Sequence, residues 1–153
     1  MIILTGDVHH AIARHAEEIY PNECVGLLLG RIAGMRTEVE DVFPAPNRWT
    51  AEVGLTPTDA DHSQRDRFYL DPRDYLRADR AANARGLDVV GCYHSHPDHP
   101  AVPSPRDLTG AQAIGSGSRF VFLIQSVHRG HAAELTAWLL VDDGARFVAE
   151  EMR

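Results

Sequence analysis

Two histidines spaced two residues apart, His94 and His96, end the apolar run that begins at Leu87, and Ser104 and Asp107 follow them across a proline-rich stretch. On an extended segment residues i and i+2 point to the same side, so both imidazoles can turn a nitrogen toward one ion. Asp107 stands at the third position of what reads as the next helix and can return a carboxylate oxygen to that side. Two neutral nitrogens and one carboxylate oxygen form a ligand set of open catalytic zinc sites, with a fourth position left for water. Asp98 and His99 compete with Asp107 as the third ligand, but Pro97 and Pro100 are expected to turn them off the strand face.

An open site of this kind lowers the pKa of water to about 7 and polarises a carbonyl. It also needs a proton acceptor. Glu23, at the entrance of the apolar run 24–30, is the best candidate outside the histidine segment, and Ser104 can donate a hydrogen bond to an oxyanion. Each residue alone has a plainer reading: strand histidines, a helix cap, a solvated carboxylate after a helix. The spacing of the histidines, Ser104 and Asp107 within one segment outweighs those readings. The same donors also make the facial triad of non-haem iron proteins, so an iron enzyme is the alternative within metal chemistry.

The elements that must position these residues follow from periodicity. Residues 2–4 read as a short strand, and Asp7 as the cap of a helix placing Val8, Ala11, Ile12, His15 and Ile19 on one face. Strands are expected over 24–30 and 37–43, and a long loop, either a substrate flap or a disordered excursion, over about 44–71. Asp71-Pro72 opens a second helix that stops at Gly86, a buried strand covers 87–93, and a capping box at Ser104 starts a helix over 105–114. Gly115-Ser116-Gly117 ends that helix, and three further strands close the chain over 119–126, 134–141 and 145–150. Strand-rich closing sequence with helices upstream predicts an α/β protein of the α+β type, a mixed sheet with helices packed on it. No repeat or linker divides the 153 residues, so a single domain over 1–153 is expected.

Composition excludes some functions. A net charge of −7 and the lack of a lysine or arginine run argue against nucleic acid as a partner. The N-terminus has no basic region followed by a long apolar stretch, and nothing approaches the ~20 apolar residues of a membrane span, so a cytoplasmic location is expected. Cys24 and Cys92, the only cysteines, read as reduced core residues. Their places beside Glu23 and near His94 also raise oxidation as a way to disturb the site.

His94-Ser95-His96, seven residues, Ser104, two residues and Asp107 resemble the JAMM motif of the MPN (Mov34/PAD-1) metalloproteases. The stretch from Pro21-Asn22-Glu23 to Gly30 resembles the segment that carries that family's catalytic glutamate. The resemblance extends over most of the chain, including Asn47 and the segment from Phe68 to Tyr75. It implies a cytidine-deaminase-like MPN fold with a mostly antiparallel, curved sheet, and one Zn2+ with its water held by His94, His96 and Asp107. It further implies that Glu23 activates that water and that Ser104 stabilises the tetrahedral intermediate. The implied reaction is hydrolysis of an isopeptide or peptide bond after the C-terminal Gly-Gly of a ubiquitin-like or sulfur-carrier protein. The implied enzyme belongs to the compact bacterial branch and acts as a monomer or homodimer. Family members that lack the metal motif bind ubiquitin-like tails without cutting them, which leaves a binding module as the alternative from another class.

Overall fold

The structure, a computed structural model, describes residues 1–53, 60–114 and 119–153. The expected turn at Gly115-Ser116-Gly117 and the middle of the 44–71 loop lie outside the described residues. The elements run β1 (Ile2–Leu4), α1 (Gly6–Ile19), β2 (Val25–Ala33), β3 (Arg36–Ala45), α2 (Pro72–Asn83) and β4 (Asp88–Pro97). They continue with α3 (Pro105–Ile114), β5 (Val121–His128), β6 (His131–Val141) and β7 (Arg146–Ala149). No helix among the described residues is long and apolar enough to cross a membrane.

Local chemistry sets the boundaries. Thr5, not Asp7, caps α1: its hydroxyl accepts from Val8 N at 3.2 Å, and Asp7 sits inside the first turn, where its charge suits the positive end of the helix. Val8, Ile12 and Ala16 form the buried stripe of α1, while Ile19 at the helix end stays partly exposed. Asp71 caps α2 as expected, accepting from Arg73 N at 2.8 Å with Pro72 in the first turn. Arg129 and Gly130 both take positive φ, the requirement of a two-residue hairpin turn between β5 and β6.

The seven strands form one sheet in the order β1-β3-β2-β4-β5-β6-β7. Pairs β1/β3 and β4/β5 are parallel and the other four antiparallel, which bears out the mixed, mostly antiparallel reading. Parallel pairing requires a crossover, and α3 lies in the one between β4 and β5. Residues 151–153 then bond the outer edge of β1, through Ile2 N to Glu151 O at 2.8 Å and Leu4 N to Arg153 O at 2.7 Å. The curled sheet so brings its two ends together, and the exposed edge of β1 is covered.

Helices cover both faces, which is why β2, β4 and β5 read as nearly unbroken apolar runs. On one face α1 packs on Leu28, Tyr93, Val121 and Leu123. On the other, Ala78 of α2 and Ala111 of α3 pack with Leu27, Cys92 and Phe122. A register shift between Leu28 and Leu29 leaves Val90 bulged, and beyond it Cys92 and Tyr93 fall into opposite cores. The side chain of Tyr93 fills the space above Gly26, where a Cβ would come within 2.3 Å of its ring. Its hydroxyl meets His15 Nδ1 at 2.8 Å, giving that histidine a structural role.

Strand β3 continues two residues past its expected end at Phe43, and the flanks of the following loop are fastened by one side chain. Asn47 Nδ2 donates to Glu23 O and to Arg67 O, both at 3.0 Å, while its Oδ1 accepts from Trp49 N at 3.0 Å and Tyr69 N at 3.1 Å. Four bonds use the whole capacity of the amide. Glu23 N donates to Gln64 O at 2.7 Å, so the backbone of Glu23 is tied to both arms of the loop.

Two substitutions test these couplings. Asn47→Asp keeps the shape but turns a two-proton donor into an acceptor facing two carbonyls, and is expected to cost about 2–3 kcal/mol in urea unfolding, more than Asn47→Ala. Wild-type stability in Asn47→Asp would contradict the staple. Gly26→Ala is expected to cost about 1–3 kcal/mol through overpacking against Tyr93. That cost should shrink when Tyr93→Leu is present, and a strictly additive double mutant would refute the contact.

Candidate metal centre

Strand β4 runs through both histidines instead of ending at Tyr93, and this places their rings side by side. His94 and His96 are buried, with their Nε2 atoms 3.1 Å apart. Asp107, buried in the first turn of α3, presents Oδ1 to His94 Nε2 at 3.1 Å and Oδ2 to His96 Nε2 at 3.0 Å. Its carboxylate is aimed by the helix start, where Ser104 N donates to Asp107 Oδ2 at 2.9 Å and Asp107 N donates to Ser104 Oγ at 3.0 Å. Ser104 accepts in that bond, so its hydroxyl proton is available to another acceptor.

Glu23 arrives from the far side of the register. Val25 lies opposite His94, Ser95 N donates to Cys24 O at 3.2 Å, and Cys24 N donates to the Ser95 hydroxyl at 2.7 Å. The residue between the two histidines therefore anchors the start of β2 against β4. Glu23, only 4% exposed, offers a carboxylate oxygen that lies within 4.8 Å of ring nitrogens of His94 and His96. The structure thus brings together Glu23, His94, His96 and Asp107, with Ser104 hydrogen-bonded to Asp107. The rival ligand Asp98 is turned away, accepting from Tyr20 Oη at 2.6 Å and Arg129 N at 2.8 Å.

The donors are oriented to hold a cation. His96 Nδ1 lies 2.8 Å from Pro100 O, a contact only a protonated Nδ1 satisfies, so the neutral ring carries its lone pair on Nε2. Burial disfavours charge on this ring, but the Asp107 carboxylate beside Nε2 raises its proton affinity, so the pocket favours positive charge at that nitrogen, from a proton or a metal ion alike. Burial works against ionising Asp107, but the His94 and His96 rings overcome it and hold the carboxyl well below the usual carboxylate range. Glu23 is driven the other way: burial, then the nearby charge of Asp107, raises its proton affinity well above that of an ordinary glutamate. One carboxylate is set up to stay charged and the other to take a proton.

Several contributors were not legible as site residues. Phe68 stacks on the His94 ring with centroids 4.6 Å apart, and Pro100 supplies the carbonyl that orients His96. Ser95 stands in the motif, yet only the strand register reveals its bond to Cys24. Beside Glu23 and Asp107 opens a cavity of about 400 Å3 whose walls include Phe68, Leu70, Tyr75 and Ile114. Cys24 and Cys92 are buried, and burial pushes each thiol up to about 12, so neither supplies the thiolate that oxidation attacks.

Known proteins resemble this chain in sequence and fold. The family model described as prokaryotic homologs of the JAB domain matches residues 5–141. A probable TtuB-protein conjugate cleaving protease of Thermus thermophilus is 40% identical over 92 residues, covering 60% of this chain and 51% of its own; the chain thus spans about half the length of that relative. A desampylase of Haloferax volcanii is 33% identical over 127 residues, covering 80% of this chain and 78% of its own. A solution structure of a Desulfitobacterium hafniense protein superposes with a TM-score of 0.77 at 30% identity, covering 100% of this chain and 92% of that one. With 137 matched residues, 5 through 141, the chain belongs to the family of prokaryotic homologs of the JAB domain.

Proposed function

We propose that the protein is a zinc-dependent peptidase that hydrolyses the isopeptide or peptide bond after the C-terminal Gly-Gly of a ubiquitin-like or sulfur-carrier protein. The observation that carries this reading is the convergence of two buried imidazoles, an ionised aspartate and a buried, proton-seeking glutamate, the two carboxylates lining one cavity. The names of the relatives support the substrate class, since one is a protease cleaving TtuB-protein conjugates and another a desampylase. Zinc suits the donors, because two imidazole nitrogens and a carboxylate oxygen are a recurrent ligand set of catalytic zinc sites.

His94, His96 and Asp107 would hold the ion. When bound there, zinc supplies Lewis acidity toward the scissile carbonyl and acidifies a water. Glu23 takes the proton that this water releases as its oxygen bonds to the carbonyl carbon. It returns a proton to the nitrogen as the C–N bond breaks, leaving a carboxylate and an amine. Its raised proton affinity suits both halves of that transfer. The Ser104 hydroxyl donates to the developing oxyanion while its oxygen stays engaged by Asp107 N. Ser95 and Asn47 keep Glu23 in place through its neighbour's amide and its own carbonyl.

The direct assay incubates zinc-loaded protein with a small ubiquitin-like protein extended past Gly-Gly by a short peptide and reads cleavage by mass. Release at that bond, abolished by a chelator and restored by zinc, is expected; an intact substrate would overturn the assignment. Glu23→Gln should retain zinc at one per chain yet lose about 10²–10⁴ in kcat, and equal turnover at matched metal content would remove Glu23 from the mechanism. Ser104→Ala should lose about 10²–10³ in kcat if its hydroxyl meets the oxyanion, with little change in KM.

A further inference from the structure

Helix α3 leaves the candidate metal centre along the wall of the neighbouring cavity. Asp107 lies in its first turn, Gly110 one turn on, and Ala113 and Ile114 two turns on, and all four line that cavity. They form one helical face. Glycine inside a helix is costly relative to alanine, so it calls for a reason.

At most other described glycines the reason is visible, Gly6 at the exposed start of α1 excepted. A Cβ on Gly26 would strike the Tyr93 ring, one on Gly91 would come within 2.3 Å of Val121 O, and Gly34 and Gly86 take positive φ. Gly110 has neither constraint. Its φ is not in the left-handed range, and a Cβ built on it meets no heavy atom within 4 Å. The space that a side chain would occupy belongs to the cavity. Glu23 lines the same cavity and is 4% exposed, with Arg67 and Arg106 among the cavity's other lining residues. A buried carboxylate at one end and an unfilled helical position in the wall both point to a ligand lying between them.

We propose that Gly110 is a specificity-determining residue: the main chain of the substrate tail passes over its Cα, and α3 reads the residues next to the scissile bond as glycines. This rests on the peptidase reading above. With 1.5 Å of rise per residue, Gly110 stands about 4.5 Å beyond Asp107, and Ala113 and Ile114 about 9–10 Å beyond it. An extended chain advances about 3.3 Å per residue, so a tail running along α3 places its two terminal residues beside Gly110 and its third beside Ala113 and Ile114. Close backbone approach at the first two positions favours glycine on both partners. At the third, Ile114 together with Leu70 and Tyr75 offers an apolar surface for an aliphatic side chain.

The test compares wild type, Gly110→Ala and Gly110→Val, each with one zinc per chain. Cleavage of the Gly-Gly fusion is measured, and so is binding of a fluorescent hexapeptide ending in Leu-Gly-Gly with a free carboxylate, by anisotropy. Gly110→Ala should raise Tm by about 2–4 °C, because alanine favours the helix and meets no clash. It should nevertheless lose about tenfold in kcat/KM and Gly110→Val about a hundredfold, the scale of a 1 Å misplacement, with peptide affinity falling in parallel. Wild-type cleavage and peptide affinity in both variants would overturn the inference, as would losses that merely follow a fall in Tm or zinc content. Peptide binding that depends on Gly110 in a wild-type protein that cleaves nothing would instead overturn the peptidase reading and uphold the role of Gly110.

Discussion

The register of β2 against β4 is the constraint on which the rest of the structure depends. Cys24 and Ser95 are 71 residues apart, and two bonds between them fix which residue of β2 faces which residue of β4. One of these uses the serine hydroxyl in place of a carbonyl at the point where the strand pairing ends. Tyr93 against Gly26 makes the same alignment sterically exclusive on the face turned away from the histidines. In an antiparallel pair a slip of one residue would send Glu23 to the wrong side of the sheet, away from the histidines. Burying a carboxylate is unfavourable, so Glu23 stays at the centre only because the frame around it is over-determined. That frame includes the Asn47 amide, which binds the Glu23 carbonyl and both arms of the following loop.

Within the frame, two carboxylates are given different chemistry by their surroundings. Asp107 stands at a helix N-terminus, accepts from Ser104 N and faces two imidazoles, all of which favour its charge. Glu23 lies at the end of an apolar run with Asp107 as a charged neighbour, and both effects favour its proton. A ligand that stays ionised and a base that binds its proton firmly are the two parts that metal-assisted hydrolysis needs.

The sequence made the local half of the site legible. His94 and His96 share a face because strand periodicity is two, and Ser104 with Asp107 forms a cap because helix starts have a recognisable pattern; both inferences hold in the structure. Glu23 was different, since its neighbours alone suggest a surface carboxylate, and only pairing between distant strands buries it. The Asn47 staple was invisible for a related reason: its partners are mostly backbone groups, which carry no side-chain signature. The helix cap lies at Thr5 and not Asp7, two residues that both accept well, because it is the Thr5 hydroxyl that receives the Val8 amide. Contact between residues 151–153 and β1 likewise depends on how far the whole sheet curls, which no local pattern encodes.

The central claim is that His94, His96 and Asp107 bind one ion while Glu23 stands beside it as the proton carrier. Anomalous diffraction at the zinc edge from crystals of the zinc-loaded protein tests this most directly. The account predicts one peak within about 2.0–2.2 Å of His94 Nε2, His96 Nε2 and an Asp107 oxygen, with Glu23 beyond bonding distance. A peak bonded to Glu23 in place of Asp107, or no peak between the histidines, would contradict it.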